Sequence, residues 1–232
     1  MRYLLVVAHP DDEVLGAGGS IYNWTNNNDE VFVCILSMEA RARSGHPGED
    51  ELLANSDSAV EILGIKKLII GHFRNIEMNN EPHIRIVQFI ERAIIETQPD
   101  IIVTHHPSDT NNDHLHTSLA CQAAFRLFQR REGIKAPNEL WFMEVPSSTE
   151  WSLNSSLNRF TPNLFIEINR EGLEKKIEAL MEYKGVMHAF PHPRSREALG
   201  GLAAFRGAQS GLKYAEAFEC VCRRINSTTS KE

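Results

Sequence analysis

Four short runs, Tyr3–Ala8, Val31–Ser37, Lys67–Gly71 and Ile101–Thr104, are rich in Val, Ile and Leu and bounded by polar residues or glycine. Between them lie stretches of helical length near Glu13–Asn26, Asp50–Leu63 and Ile84–Thr97, and a fourth helix is expected over Asp113–Gln129. Continuous apolar runs belong to strands buried on both faces, and strands that alternate with helices pair in parallel. The pattern therefore predicts an α/β fold, a three-layer Rossmann-like sandwich with a mostly parallel sheet and helices on both faces. Gln98-Pro99-Asp100 ends the third helix, because proline lacks an N–H and restricts the residue before it. After about residue 138 the rhythm changes. Glu139–Val145, Leu164–Ile168 and Ala217–Ile225 read as further strands, and Arg170–Tyr183 and Arg194–Ala208 as helices. Tyr183 and Lys184 are expected on a helix surface. Without a repeat or linker, residues 1–225 are expected to form one domain, followed by a polar tail, 226–232.

Charge narrows the partners. The 24 Lys and Arg against 31 Asp and Glu leave a formal net charge of -7, which disfavours nucleic acid or an anionic membrane as the main partner. No apolar run approaches the roughly 18–20 residues that span a bilayer. The first residues read as a core strand rather than a secretory leader, so a cytoplasmic location is expected. The four cysteines include no CxxC pair; Cys34 and Cys121 read as core residues, and Cys220 and Cys222 are expected to share a strand face.

The first apolar run leads directly into His9-Pro10-Asp11-Asp12-Glu13. In open α/β sheets ligands bind outside the carboxyl ends of the strands, where this segment falls. Helix capping would use Asp12 and Glu13 but leaves His9 and the adjacent carboxylate unexplained. A dinucleotide site fits poorly, because Gly16-Ala17-Gly18-Gly19 comes too late and the acids at the turn would repel a pyrophosphate. The glycines are expected to permit close helix–sheet packing. Crowded carboxylates call for a cation, and His and Asp are both zinc ligands.

A second polar cluster, Thr104–His116, begins where the fourth run ends, so parallel pairing brings it to the same sheet edge. Catalytic zinc takes three protein ligands and water. His9, Asp12 and one histidine of the second cluster would complete such a set. His114 and His116 point about 200° apart on a helix, so only one of them can ligate.

Ala8-His9-Pro10-Asp11-Asp12-Glu13 resembles the AHPDD(E) signature of the PIG-L/LmbE-like zinc N-deacetylases. Asp113-His114 resembles that family's second motif, in which an Asp-His pair supplies the last ligand. The order, spacing and strand context are similar from residue 3 to about 223. The resemblance implies one Zn2+ held by His9, Asp12 and His114, with Asp11 as general base. It implies a hydrolase that removes an N-acyl group, usually acetyl, from a small amino-sugar conjugate. Relatives are often oligomers. Iron, cobalt or nickel would also suit that donor set.

One departure bears on the mechanism. Many relatives carry a histidine three residues before the last ligand, where this chain has Asn111. An amide donates a hydrogen bond but cannot shuttle a proton. Either Asp11 carries both proton transfers or another residue is the acid, with His116, His106 and His192 as candidates. Phe190-Pro191-His192-Pro193-Arg194-Ser195 resembles the C-terminal part of sugar-active members, with His192 and Arg194 as substrate contacts on a lid. Arg41 and Arg43 follow the second strand, and Arg43 best matches the position where relatives hold polar or phosphorylated groups. Ser147–Trp151 follows a strand end and is expected to line the pocket, Trp151 offering its face to a sugar ring. The alternatives are a deformylase or other amidohydrolase acting on a different small amide, or a non-catalytic metal- or sugar-binding relative. Asp11 speaks against the last, since a binder needs no base beside the metal.

Overall fold

A computed structural model describes residues 1–39, 48–153 and 159–225. Seven strands, β1 (Arg2–Val7), β2 (Glu30–Ile35), β3 (Lys67–Ile70), β4 (Ile101–His105), β5 (Glu139–Met143), β6 (Leu164–Glu167) and β7 (Ala215–Arg223), form one sheet in the order β3-β2-β1-β4-β5-β7-β6. The first five pair in parallel, and β7 runs antiparallel to both β5 and β6. The helices are α1 (Asp12–Asn26), α2 (Glu49–Leu63), α3 (His83–Thr97), α4 (Asn112–Phe125), α5 (Asn169–Glu182) and α6 (Arg196–Ser210). The expected elements are present with ends displaced by up to two residues, except that α4 gives way after Phe125 to a 3-10 turn over Leu127–Gln129.

Strand alternation divides the core into two layers. Tyr3, Leu5 and Val7 of β1 join residues of α1, α2, α5 and α6 on one face, whereas Leu4 and Val6 join residues of α3 and α4 on the other. From β1 the chain winds outward through β2 to β3, and from β4 outward in the opposite direction to β5. The β1/β4 boundary is therefore the point where strand order reverses and a crevice opens. Beyond the ladder, the Ala8 N–H donates to His105 Nε2 at 2.9 Å, which ties the two outgoing loops together. No helix among the described residues is long and apolar enough to cross a membrane.

Helix α1 bends at Ala17, whose φ of -145° and ψ of 15° lie outside the helical region. Such a break strands backbone donors and acceptors in the core, and these have to find partners. The N–H groups of Gly19 and Ser20 donate to the two carboxylate oxygens of Glu216, at 3.1 and 2.7 Å. Lys176 Nζ donates to the Leu15 carbonyl at 2.7 Å and to Glu216 Oε1 at 2.7 Å. A buried Lys–Glu pair thus stands in for the missing helix bonds. The glycines of α1 serve packing, as expected: a Cβ on Gly16 would overlap the Met143 sulfur on β5, and one on Gly19 would lie 2.9 Å from Ile168 Cβ.

Two expectations are corrected. Tyr183 is 1% exposed rather than on the surface, because it follows α5 with extended backbone and turns inward; Lys184 is exposed and pairs with Glu51. Cys220 and Cys222 do not share a face. Cys220 sits opposite Trp141 and Cys222 opposite the adjacent Leu140, so Val221 bulges out and reverses the alternation. Cys220 packs on one core and Cys222 on the other.

Lys176→Met leaves the Glu216 carboxylate buried without its ammonium. Removing one partner of a buried pair costs about 3–5 kcal/mol, and urea titration should read a loss of that order.

Candidate metal centre

The loops after β1 and β4 meet at the crevice. β1 passes through Ala8 and His9 to Asp11, which precedes α1 in a left-handed conformation, φ 100°. No side-chain bond caps this helix end. The Asp11 N–H donates to Glu13 Oε2 at 3.1 Å, and its carbonyl accepts from Val14 and Leu15. The reversal sends two consecutive aspartates to different places. Asp12 Oδ2 accepts from the His9 backbone at 2.9 Å and lies 3.4 Å from His9 Nδ1 and 3.2 Å from His114 Nε2. Asp11 lines the adjoining cavity, with Arg194 Nη1 3.5 Å from its Oδ2.

His9, Asp12 and His114 are all buried, and each offers one donor atom within 4.8 Å of the others. Both imidazoles present their remote nitrogen to a second carboxylate. His9 Nε2 is 2.9 Å from Asp113 Oδ2, and His114 Nδ1 is 3.0 Å from Asp109 Oδ2. Those carboxylates are anchored in turn. Asp113 accepts the Ile76 and Met78 N–H groups at 2.5 and 3.1 Å, while Asp109 accepts from Asn111 N, Thr149 Oγ1 and Ser148 Oγ. Asn111 Oδ1 caps α4 by accepting the Asp113 N–H at 2.9 Å, which fixes His114 in the first turn.

Protonation follows this crowding. Burial disfavours the imidazolium of His9, yet Asp113 and Asp12 outweigh it and raise its pKa. Burial likewise opposes the charge on His114, but Asp12 and Asp109 raise it to about 10. Burial would raise Asp12, and the histidines instead hold it well below the carboxylate range. His105 behaves in the opposite way: burial and the neighbouring His114 push it down to about 3, leaving a neutral ring that accepts the Ala8 N–H. The set attracts positive charge strongly, and its two nitrogens and one carboxylate oxygen, backed by second carboxylates, are donors that suit a divalent transition metal.

A cavity of about 330 Å³ opens above these donors, lined in part by Asp11, Glu39, Asn75, Ile76, Asn111, Ser147, Ser148 and Arg194. Arg194 Nε donates to Ser147 Oγ at 2.6 Å. Three expected site residues stand outside the lining. His116 lies two positions beyond His114 on α4, turned to another part of the helix surface. His192 Nδ1 accepts the Arg194 N–H at 3.0 Å and its ring lies against His188, so it braces its own loop. Trp151 is 56% exposed, in a 3-10 turn just past the serines that do reach the cavity. Arg41 and Arg43 lie outside the described residues.

Sequence reasoning did not anticipate Asn75 and Ile76, which sit in an irregular loop after β3 without a motif to mark them. It also missed the partner of Glu13. Glu13 is 1% exposed and accepts from Tyr183 Oη at 2.6 Å, so the carboxyl that positions the Asp11 backbone is itself held from the end of α5. Burial raises the Glu13 pKa to about 8; the Tyr183 bond opposes this rise and the Asp11 charge adds to it.

The ordinary Glu13 value is 4.5, so between pH 4.5 and 8 the folded chain keeps a proton that the unfolded chain has released. Stability from this group is full below that window and is lost as pH rises through it. In chelator-treated protein Glu13 should contribute about 1.4 kcal/mol per pH unit near mid-window, read as the difference in slope between wild type and Glu13→Gln in urea titrations run across pH.

Comparison with known proteins bears on this site. Residues 4–125, from β1 to the last residue of α4, match the PIG-L family, described as GlcNAc-PI de-N-acetylase. The chain is 24% identical over 240 residues to the diacetylchitobiose deacetylase of Thermococcus kodakarensis, covering 95% of this chain and 83% of that protein. It is 25% identical over 201 residues to the 1D-myo-inositol 2-acetamido-2-deoxy-alpha-D-glucopyranoside deacetylase of Mycolicibacterium smegmatis, covering 74% and 69%. Among solved structures, the 4-carboxy-2-hydroxymuconate hydratase of Pseudomonas putida superposes with a TM-score of 0.75 at 22% identity, covering 99% of this chain and 100% of that one. That likeness is one of fold, which therefore does not choose the reaction by itself. The match that spans the crevice does settle kinship: the chain belongs to the PIG-L family.

Proposed function

We propose that this chain is a metal-dependent hydrolase that removes an N-acyl group, usually acetyl, from the amine of an amino-sugar conjugate. One arrangement carries the reading. Asp12 Oδ2 lies 3.4 Å from His9 Nδ1 and 3.2 Å from His114 Nε2, and Asp11 lines the cavity beside them. Ligands at about 2.0–2.1 Å around a tetrahedral ion stand about 3.3–3.4 Å apart, so these spacings suit zinc. Both curated relatives are named as deacetylases, of diacetylchitobiose and of a 2-acetamido-2-deoxy-glucopyranoside, which supports an N-acetyl amino sugar as substrate.

His9, Asp12 and His114 would hold the ion, with Asp113 and Asp109 orienting the two imidazoles. When bound, zinc supplies a Lewis acid that polarises the amide carbonyl and makes water nucleophilic near neutral pH. Asp11 takes the proton of the attacking water and delivers it to the departing nitrogen as the C–N bond breaks, leaving a carboxylate and a free amine. Arg194, at 3.5 Å, orients the Asp11 carboxylate toward this task. The Asn111 carbonyl oxygen is engaged in capping α4. Its amide N–H group is left as a donor to the oxygen that accumulates charge in the transition state. Asp11 thus serves as both base and acid, consistent with the absence of His116, His106 and His192 from the cavity lining; His106 Nε2 instead lies 3.4 Å from Glu219 Oε2.

The test is made on protein stripped with chelator and reloaded with zinc, using amine release from a panel of N-acetyl amino sugars. About one zinc per chain is expected, lost in Asp12→Ala. Asp11→Asn should keep its zinc and lose about 10²–10⁴ in kcat. Failure to take up zinc, or near-wild-type turnover in Asp11→Asn, would overturn the reading.

A further inference from the structure

The cavity is polar on nearly every side. Among the described residues that line it, Ile76 is the sole hydrocarbon side chain. Its backbone is held in an unusual conformation: φ is 62°, a left-handed value that a β-branched residue avoids because its forked Cβ crowds the chain. Single residues in such regions cost on the order of 1–3 kcal/mol and persist where their surroundings fix them.

The fixing groups lie in the candidate metal centre. The Ile76 N–H donates to Asp113 Oδ2, the same oxygen that faces His9 Nε2. Two residues on, the Met78 N–H donates to the other oxygen of that carboxylate. Asn75, one residue before, donates its N–H to Glu39 Oε2 at 3.3 Å. Asn75 and Met78 are buried, yet Ile76 between them is 45% exposed. The loop is clamped on both sides and presents one aliphatic group to the cavity, registered to His9 through a shared oxygen.

An acyl tail offers nothing to hydrogen-bond, so an amide hydrolase can sort acyl groups only by shape and apolar contact. Such contact separates neighbouring homologues by about 10–200-fold per methylene. We propose that Ile76 is the acyl-selecting residue of this site: it packs against the methyl of an N-acetyl group and occupies the space that a longer chain would need. The proposal rests on the hydrolase reading above and adds the acyl group that the site accepts.

The experiment compares N-formyl, N-acetyl, N-propionyl and N-butyryl derivatives of one amino sugar on zinc-loaded wild type, Ile76→Ala and Ile76→Val. Wild type should prefer acetyl. Ile76→Ala should raise kcat/KM for butyryl relative to acetyl by at least about 10-fold, and Ile76→Val by less, in the same direction. Ile76→Val keeps the branched Cβ and guards against a folding defect in the alanine variant. Calorimetric titration with acetate and butyrate reads the same contact without turnover, and butyrate should gain on acetate in Ile76→Ala. Acyl ratios unchanged within about twofold in both variants, or a change in preference among sugars with the acyl group held constant, would overturn the assignment while leaving the hydrolase intact. A wild type that binds zinc but cleaves none of the four amides would overturn the hydrolase reading and this inference with it.

Discussion

Five carboxylates, on Asp11, Asp12, Glu13, Asp109 and Asp113, are buried around the adjoining ends of β1 and β4, and the crevice is organised by how each is compensated. Burying an ionised carboxylate is costly unless charge or hydrogen bonds compensate it. The five solutions differ. Asp12 faces two imidazoles, Asp113 takes two backbone N–H groups and His9, and Asp109 takes two hydroxyls, a backbone N–H and the proximity of His114. Asp11 has a guanidinium nearby, and Glu13, whose pKa burial raises to about 8, accepts a tyrosine hydroxyl. Only Asp12 is compensated mainly by groups that are themselves good metal ligands. A divalent ion would compensate that residue through the same donor set.

The compensation reaches well beyond the crevice. Glu13 depends on Tyr183 at the end of α5, and α5 also carries Lys176, which repairs the bend in α1. Helix α1 is bound at its start by the Glu13–Tyr183 bond and at its kink by Lys176 and Glu216. Glycines at 16 and 19 let it approach β5 and the start of α5 closely enough for those bonds to form. The left-handed turn at Asp11 is thus set by a helix more than 150 residues away in the chain, with one face of the sheet as scaffold.

Much of this was legible in the sequence because it is local. Strand ends could be read from where apolar runs stop, and parallel pairing of β1 with β4 brought His9 and Asp12 to the same edge as the second cluster, whose ligand, His114, was named by the family resemblance. What failed to be legible depends on contacts between distant segments or on irregular backbone. Tyr183 fits an amphipathic surface pattern, and only the exit of the chain from α5 turns it inward. The bulge at Val221 that separates Cys220 from Cys222 has no marker in the residues themselves. Pro191 and Pro193 around His192 suggested an extended lid, but the ring instead accepts a bond from its own loop. Ile76 carried no signal because its place in the cavity wall depends on a φ angle and on a bond to Asp113.

The fold does not fix the reaction, since a hydratase superposes on this chain across nearly its whole length. What could separate the two chemistries is the wall of the cavity. Adding water to a carbon–carbon double bond and adding it to an amide carbonyl both need an activated water and a base. The amide also needs a proton delivered to nitrogen and a place for the acyl tail. In this chain Asn111 has its oxygen committed to the α4 cap and has only N–H groups left to offer, so in the proposed reaction a shuttled proton would fall to Asp11. Among the described residues the polar wall is interrupted at Ile76, where the proposed reaction would place a short hydrocarbon tail. Charge compensation sets where the proposed reaction would activate water, and the irregular loop after β3 sets the shape of the wall beside it.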